Sequence, residues 1–127
     1  MIRGTAQPFR FKLPYPLDDL VWITIQFWQD NNPDKTSVVT KTKVDCVEQD
    51  GAVYVSLSAN DTKKFSDRYK VAMQLRAQPL YGVPFGSKPK LYTVYPMSDG
   101  IIDSDTENDS PAQTNEKWII LDGDSII

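Results

Sequence analysis

The chain of 127 residues contains no histidine and a single cysteine, Cys46. Without histidine it lacks the commonest general base, the Ser-His and Cys-His nucleophile pairs and the usual zinc ligand sets. One cysteine excludes an internal disulfide and fits synthesis in a reducing cytosol. No run of apolar residues approaches the ~20 that cross a membrane. The composition therefore predicts a non-enzymatic protein with no cofactor, no metal and no membrane partner.

The opening MIRGTAQPFRFKLPYP also lacks the apolar run and the small-residue cleavage site of a signal peptide. From Phe9 onward, large apolar side chains alternate with basic ones, which is typical of a half-buried β-strand. We therefore expect the protein to be made in the cytoplasm without a leader and to be structured from its first residues.

Charge is unevenly distributed, although the net charge is only −3. Residues 1–97 carry 13 basic and 9 acidic side chains, whereas residues 98–127 carry one basic and 8 acidic side chains. The balances of +4 and −7 favour attraction between the two segments, within one chain or between chains. The acidic total argues against nucleic acid as the main ligand.

The length and an apolar fraction of 40% predict one globular domain. At residue 98 the apolar pattern gives way to Asp, Ser, Thr, Asn and Gln, a composition typical of a flexible linker. We therefore divide the chain into a β-sandwich domain over residues 1–97 and an acidic linker with a C-terminal arm over residues 98–127.

Segments rich in β-branched and aromatic residues recur roughly every 8–14 residues between turn residues. The strongest is LVWITIQFWQD, and DRYKVAMQLRAQ alternates as regularly. Asp50-Gly51 predicts a tight hairpin turn, and Ser58 with Asp61 predicts one short helical turn with a capping box. The pattern indicates an all-β fold, a single immunoglobulin-like antiparallel β-sandwich of about seven strands with an extended acidic C-terminal arm.

Alternation along the strands predicts which side chains are buried. In the strongest strand, Val21 begins the face that points inward and Trp22 begins the face that points outward. TSVVTKTKVDCV reads as one bent strand or two short ones, in which Cys46 alternates with Val44 and packs as a small apolar residue. One buried cluster is expected from Phe11, Ile23, Ile25, Val55, Leu57, Val71, Met73 and Leu75.

The outward face of the strongest strand carries Trp22 and Trp28, so this strand is apolar on both sides. A two-layer sandwich buries only one face of each sheet, and the second apolar face needs cover. This cover could be the chain's own loop PLYGVPF. It could equally be a neighbouring subunit, since Trp and Tyr are common interface anchors. The candidate contact residues are Trp22, Trp28, Tyr81, Phe85, Trp118, Ile119, Ile120 and Leu121.

The C-terminal segment KWIILDGDSII is short and strongly apolar. An apolar strand left in solvent would invite aggregation, so we expect it to be paired. Addition to a sheet edge of a neighbouring copy would satisfy its backbone and make it an assembly arm. Folding back as the last strand of its own domain is the alternative.

Several short motifs follow one another in the order MIRGT, FKLP, ITIQFWQD, TKTKVDC, LSANDTKKF and VAMQLRA. In these motifs, over roughly residues 1–105, the chain resembles a family of small proteins encoded in phages and prophages of Gram-positive bacteria. It departs from the family in a longer loop over residues 79–90 and in everything after about residue 105. The resemblance implies a structural role in a virion or prophage particle and offers no catalytic residues.

Together these observations predict a non-enzymatic structural protein of a bacteriophage virion, a tail-tip or baseplate component in contact with other virion proteins and with copies of itself. A capsid decoration or head-fibre protein is the close alternative. The alternative of another class is a carbohydrate-binding module, in which exposed Trp and Tyr would stack on sugar rings.

Overall fold

In the computed structural model, the residues that the structure describes are 1–96 and 119–121, and they form nine strands and one short α-helix. The helix α1 spans Ala59–Lys63, and two 3₁₀ turns span Leu17–Asp19 and Lys43–Asp45. No helix within these ranges is long and apolar enough to span a membrane. The strands are β1 (Gln7–Phe11), β2 (Leu20–Trp28), β3 (Val38–Thr42), β4 (Val47–Gln49), β5 (Ala52–Leu57), β6 (Val71–Pro79), β7 (Phe85–Gly86), β8 (Lys90–Tyr92) and β9 (Ile119–Leu121).

The strands form two sheets. The first sheet has the order β4-β5-β1-β9, and the second has the order β3-β2-β6, with β7 and β8 both paired to the far edge of β6. The strands pair antiparallel, except that β9 runs parallel to β1. The predicted all-β antiparallel sandwich is therefore confirmed.

The strand order is that of an immunoglobulin-type sandwich without its first strand. In that fold, strands D-E-B pair in one sheet and strands C′-C-F pair in the other. Here β4-β5-β1 and β3-β2-β6 reproduce these two groups. β9 lies beside β1, where the first strand of an immunoglobulin domain pairs, but it runs in the opposite direction to that strand.

The core lies between the two sheets, and the eight side chains predicted for it are all buried, so this prediction is confirmed. Aromatic rings fill its centre. The ring of Phe9 lies 5.1 Å from that of Phe27 and 6.3 Å from that of Phe11. Because β1 supplies two of these rings, it is as central to the core as β2 and β6.

Val21 does not face inward as predicted. The pairing of β2 with β6 shifts register between Leu20 and Trp22, which is a local bulge. Leu20 takes the inward position and is 1% exposed, whereas Val21 is 56% exposed. The alternation from Trp22 to Trp28 is intact, so both tryptophans lie on the outward face as predicted.

The segment TSVVTKTKVDCV forms two strands separated by the second 3₁₀ turn. In this turn the side chains of Thr42 and Asp45 form a capping box, and the chain passes from the second sheet to the first. Val44 is 91% exposed, so the predicted alternation of Val44 with Cys46 in a strand is wrong. Cys46 itself is buried in the core, as predicted, and its Sγ donates to the carbonyl of Thr42 over 3.3 Å.

Two local predictions are confirmed. Asp50 and Gly51 have φ angles of 54° and 79°, the left-handed values that a two-residue hairpin turn between β4 and β5 requires. Ser58 and Asp61 cap α1 reciprocally: the amide of Asp61 donates to the Ser58 hydroxyl over 3.1 Å, and the amide of Ser58 donates to the Asp61 carboxylate over 2.8 Å.

The N-terminal segment is held against the end of the described domain. The amino group of Met1 donates to the carbonyl of Thr93 over 2.9 Å, and backbone hydrogen bonds join residues 1 and 3 to Tyr95. Residues 1–95 therefore form one sandwich. Of the predicted acidic linker and arm, all but Ile119–Leu121 lies outside the described residues.

Candidate functional site

The outward face of the second sheet is the face opposite the buried core. We refer to the side chains of β2, β3 and β6 on this outward face as the open face. In the same strands, the alternate side chains, such as Ile25 and Leu75, are fully buried. By register, the open face consists of Trp22, Thr24, Gln26, Trp28, Val38, Thr40, Thr42, Ala72, Gln74, Arg76 and Gln78. Ala72 is the buried member of this set.

The middle of the open face is polar but almost uncharged. Its two central rows, read from β3 to β6, are Thr40, Gln26, Gln74 and Thr42, Thr24, Arg76. Arg76 is the only charged residue among the members of the open face, whereas solvated surfaces commonly mix Lys, Arg, Glu and Asp. Amides and hydroxyls both donate and accept hydrogen bonds, so this surface is suited to a polar ligand with many hydroxyl groups.

A cleft of about 500 Å³ lies at one end of the open face. Trp22 is 39% exposed, so part of its indole is accessible from the cleft. The cleft combines an apolar wall with amide, hydroxyl and guanidinium groups. Its lining residues are Trp22, Gln74, Arg76, Pro84, Phe85, Gly86 and Ser87.

The wall that β7 contributes to the cleft is fixed by its contacts with β6. The amide of Ser87 donates to the carbonyl of Leu75 over 2.9 Å, and the amide of Leu75 donates to the Ser87 hydroxyl over 3.0 Å. A Cβ atom at Gly86 would lie 2.8 Å from the Leu75 carbonyl oxygen, so only glycine allows this close approach. The cleft wall is therefore formed before any ligand arrives.

The guanidinium of Arg76 has no hydrogen-bond or ion-pair partner among the described residues. The salt bridge within the described ranges joins Lys41 to Asp61 over 2.8 Å, in another part of the domain. An arginine carries five N–H donors in a planar fork that matches a carboxylate or a phosphate. Arg76 is exposed, so these donors are accessible to solvent.

The opposite end of the open face is an apolar row. Val38, Trp28 and Ala72 lie side by side across β3, β2 and β6, and Leu91 of β8 continues this row beyond the open face. The indole Nε1 of Trp28 donates to Asp30 over 2.7 Å, so its polar group is already used. Trp22 and Trp28 are six positions apart along β2, a distance of about 20 Å at the usual rise.

The predicted contact residues of the β6–β7 region differ in their placement. Phe85 lines the cleft with Trp22, but its ring stacks on Tyr15 at 5.6 Å and packs against the core. Tyr81 is 88% exposed. The loop between β6 and β7 is held by a hydrogen bond from Gln78 to the carbonyl of Gly82 over 3.3 Å. This loop therefore covers only part of Trp22.

The predicted contact residues of the C-terminal arm lie on the other sheet. β9 pairs with β1 in the register Phe9 with Ile119, Arg10 with Ile120 and Phe11 with Leu121. The open face and the β9 pairing are therefore two separate surfaces. Trp118 lies outside the described residues.

Ionisable groups are not gathered into a metal site in the described ranges, where no group of three or more Cys, Asp and Glu side chains is placed to hold an ion. Burial, with a smaller contribution from the charge of Asp45, raises the pKa of the Cys46 thiol to about 11. Burial raises the pKa of Tyr92 to about 12. Both groups are therefore protonated at neutral pH.

Gln74, Arg76 and Ser87 were not among the predicted site residues. Gln74 and Arg76 alternate with buried residues in β6, so their outward direction was readable from the sequence. Their proximity to Trp22 was not readable, because it depends on the register between two strands that are distant in sequence. Ser87 lies in a loop sequence that carries no periodic signal.

Neither a family model, nor a curated protein, nor a solved structure matches this chain.

Proposed function

We propose that this protein is a non-enzymatic structural component of a bacteriophage virion, located at the tail tip or baseplate and bound to other virion proteins and to copies of itself. The motifs within residues 1–105 support the virion assignment by resemblance. A capsid decoration or head-fibre protein is the alternative position. The observation that supports the assembly role is that the edge of β1 accepts β9 as a neighbouring strand. In the structure this pairing lies within one chain, and the assembly role requires that β9 exchange onto a neighbouring copy.

β1 is a central strand that needs a neighbour on both sides. Its side chains Phe9 and Phe11 are fully buried. β5 pairs with one edge of β1 over five residues, and β9 pairs with the other edge over three. A strand edge without a neighbour presents free N–H and C=O groups, which are a template for another strand. The edge of β1 is therefore a natural acceptor for strand addition.

The β9 segment of a neighbouring copy would make the same backbone ladder with β1 as the chain's own segment. The chain between residues 96 and 119 has a contour length of about 75 Å, whereas a domain of this size has a radius of gyration of about 14 Å. Tethering gives the chain's own strand an effective concentration on the order of millimolar. Pairing within one chain should dominate in dilute solution, and exchange between copies should dominate where copies are packed side by side in a particle.

The charge distribution favours contact of the C-terminal segment with the body of its own chain or of a neighbouring copy. Residues 98–127 have a balance of −7, and residues 1–97 have a balance of +4. Opposite charges on two partners accelerate their encounter and select the correct pairing. A C-terminal segment that reaches a neighbouring copy would meet a surface of opposite net charge.

Localisation in purified phage particles tests the virion assignment. We expect peptides of this protein in mass spectra of intact particles and antibody label at the tail tip in electron micrographs. Label on the capsid would support the alternative position. Absence of the protein from purified particles would contradict the proposal.

A split cysteine pair tests strand exchange, in a background in which Cys46→Ala removes the native thiol. One copy carries Arg10→Cys and a second copy carries Ile120→Cys, because these positions are partners in the β1–β9 register. A disulfide between them forms only if β9 of one copy lies on β1 of the other. A copy carrying Val44→Cys, an exposed residue outside both strands, is the matched control for Arg10→Cys.

We expect a covalent dimer from the Arg10→Cys and Ile120→Cys copies near millimolar concentration and in assembled particles, and none with the Val44→Cys control. If no dimer forms at any concentration while a single chain carrying both cysteines closes an internal disulfide, exchange between copies is wrong and β9 belongs to its own domain.

A further inference from the structure

We infer that the cleft beside Trp22 is a binding site for an acidic saccharide, with a sugar ring against the indole and a carboxylate on Arg76. This site lies on the second sheet, away from the β1–β9 pairing. The inference therefore does not depend on the proposed virion role, although surface sugars of a host cell would be ligands of this class.

The indole of Trp22 supplies a platform for a sugar ring. One face of a pyranose ring presents C–H groups, which pack on an aromatic surface, while its rim carries hydroxyls. Trp22 is 39% exposed at the edge of the cleft, and Pro84 adds apolar surface beside it. The cleft has a volume of about 500 Å³ and is largely open to solvent, so a ligand would lie against its walls and would not be enclosed. Its combination of apolar walls with a few polar groups is typical of small-ligand sites.

Neutral polar groups lie beside this platform, in the cleft and on the adjoining part of the open face. Gln78 is the register partner of Trp22, and Thr24 is the register partner of Arg76. The side-chain nitrogen of Gln74 donates to the Ser87 carbonyl over 3.2 Å, which orients the amide. Its carbonyl oxygen has no partner among the described residues and can accept a hydrogen bond from a ligand hydroxyl.

Arg76 selects an acidic ligand over a neutral one. Its guanidinium has no carboxylate partner within the described ranges, and β2, β3 and β6 place no acidic side chain on the open face. A carboxylate can accept two parallel hydrogen bonds from a guanidinium, which is stronger than pairing with neutral groups. The charge is therefore free to bind an anion.

A protein partner fits the open face less well. The residues that dominate protein interfaces lie near the centre of the contact and are surrounded by weaker contacts. Here the centre is built from Gln and Thr, and the two tryptophans stand at opposite ends, about 20 Å apart at the usual strand rise. The β7 wall of the cleft is held against β6 by the contacts of Gly86 and Ser87 with Leu75, so this part of the backbone needs no reordering when a small ligand binds.

Titration of the full chain with two matched disaccharides, followed by ¹H–¹⁵N NMR, tests the site. Cellobiouronic acid and cellobiose differ in one carboxylate and are the probes. We expect saturable shifts of the Trp22 indole resonance and of the Gln74 and Arg76 amides with cellobiouronic acid at millimolar concentration. The indole resonance of Trp28 should not move, and cellobiose should bind at least about tenfold more weakly.

Two variants and one control assign the binding to these groups. Trp22→Ala removes the platform and Arg76→Gln removes the charge, and each should lower the affinity for cellobiouronic acid at least about tenfold. Arg68→Gln removes an exposed arginine that lies outside the open face and should leave the affinity unchanged. Unchanged dispersion of the amide spectrum shows that each variant is folded.

Three results would overturn the inference. The first is no saturable shift with cellobiouronic acid at tens of millimolar. The second is equal binding of cellobiose together with no effect of Arg76→Gln, because the arginine would then not select the ligand. The third is concentration-dependent dimerisation that Trp22→Ala abolishes, which would identify the open face as a contact between copies.

Discussion

Arg3 binds the end of α1 through its side chain: Nη2 donates to the carbonyl of Lys63, the last helical residue, over 3.1 Å, and Nε donates to the carbonyl of Phe65, two residues beyond the helix, over 2.9 Å. The last carbonyls of a helix have no partner within the helix, so Arg3 satisfies groups that would otherwise need water. The amide of Gly4 adds a bond to the Thr62 hydroxyl over 2.9 Å. The opening MIRGT therefore fastens the N-terminal segment to a helix some 60 positions away.

Replacement of Arg3 by Ala should destabilise the domain modestly. The two hydrogen bonds are lost, but the site is partly exposed and water can replace the guanidinium, so we expect a cost of about 1 kcal/mol. The midpoint of thermal unfolding should fall by about 4–8 °C, which is the shift that 1 kcal/mol causes in a domain of roughly 60–100 residues. Lys12→Ala, at an exposed position of the next segment, is the control and should leave the midpoint unchanged.

Truncation of the core at Ile25 or Leu75 should be far more costly. Both side chains are fully buried and are register partners on β2 and β6. Conversion of either to Ala should lower the free energy of unfolding by about 2–5 kcal/mol, through lost transfer energy and a cavity. Gln26→Ala, on the open face next to Ile25, should change it by less than about 0.5 kcal/mol. Equal effects in urea denaturation would show that the assignment of faces is wrong.

Cys46 should make stability depend on pH in the alkaline range. Its pKa in the folded protein is about 11, above the ordinary value of 9.0. A raised pKa means that the folded state keeps the thiol proton at a pH where the unfolded state has lost it. The contribution of the Cys46 thiol to the free energy of unfolding is therefore complete below pH 9 and is lost as pH rises toward 11.

Urea denaturation at pH 8 and pH 10.5 measures this dependence. Cys46→Ala removes the thiol, so the difference between the two chains isolates it from lysine and tyrosine titration. The parent protein should lose more stability than the variant over this interval. In the folded protein, iodoacetamide should alkylate Cys46 slowly at pH 8.5, because the thiol is buried and protonated. Equal losses in both chains would contradict the raised pKa.

Deletion of residues 106–127 separates the two roles of the C-terminal segment. The core residues identified in the structure lie between Phe9 and Val94, so we expect the shortened chain to fold as a monomer, with reduced stability because β1 loses one neighbour. Contact between copies and incorporation into particles should be lost. Loss of cooperative thermal unfolding in circular dichroism would instead show that β9 is an essential part of its own domain.

Much of the fold could be read from the sequence because it depends on near neighbours. The two-residue alternation of β2 and β6 determines which side chains are buried. Asp50 and Gly51 adopt the left-handed φ angles that their tight hairpin turn requires. The capping box of Ser58 and Asp61 spans three residues. Each of these features is decided within a few positions of the chain, by sterics and local hydrogen bonds.

The rest was decided by contacts between distant residues. The bulge at Leu20 and Trp22 arises from the pairing with β6, and it exposes Val21 against its local pattern. The cleft joins Trp22 to Arg76 only because β2 and β6 pair in one register. A one-residue slip of that register would turn every side chain of a strand to the other face. The amino-acid pattern thus determined what each strand could bury, and only the tertiary structure decided which polar residues meet, because register is a property of two strands and not of either sequence alone.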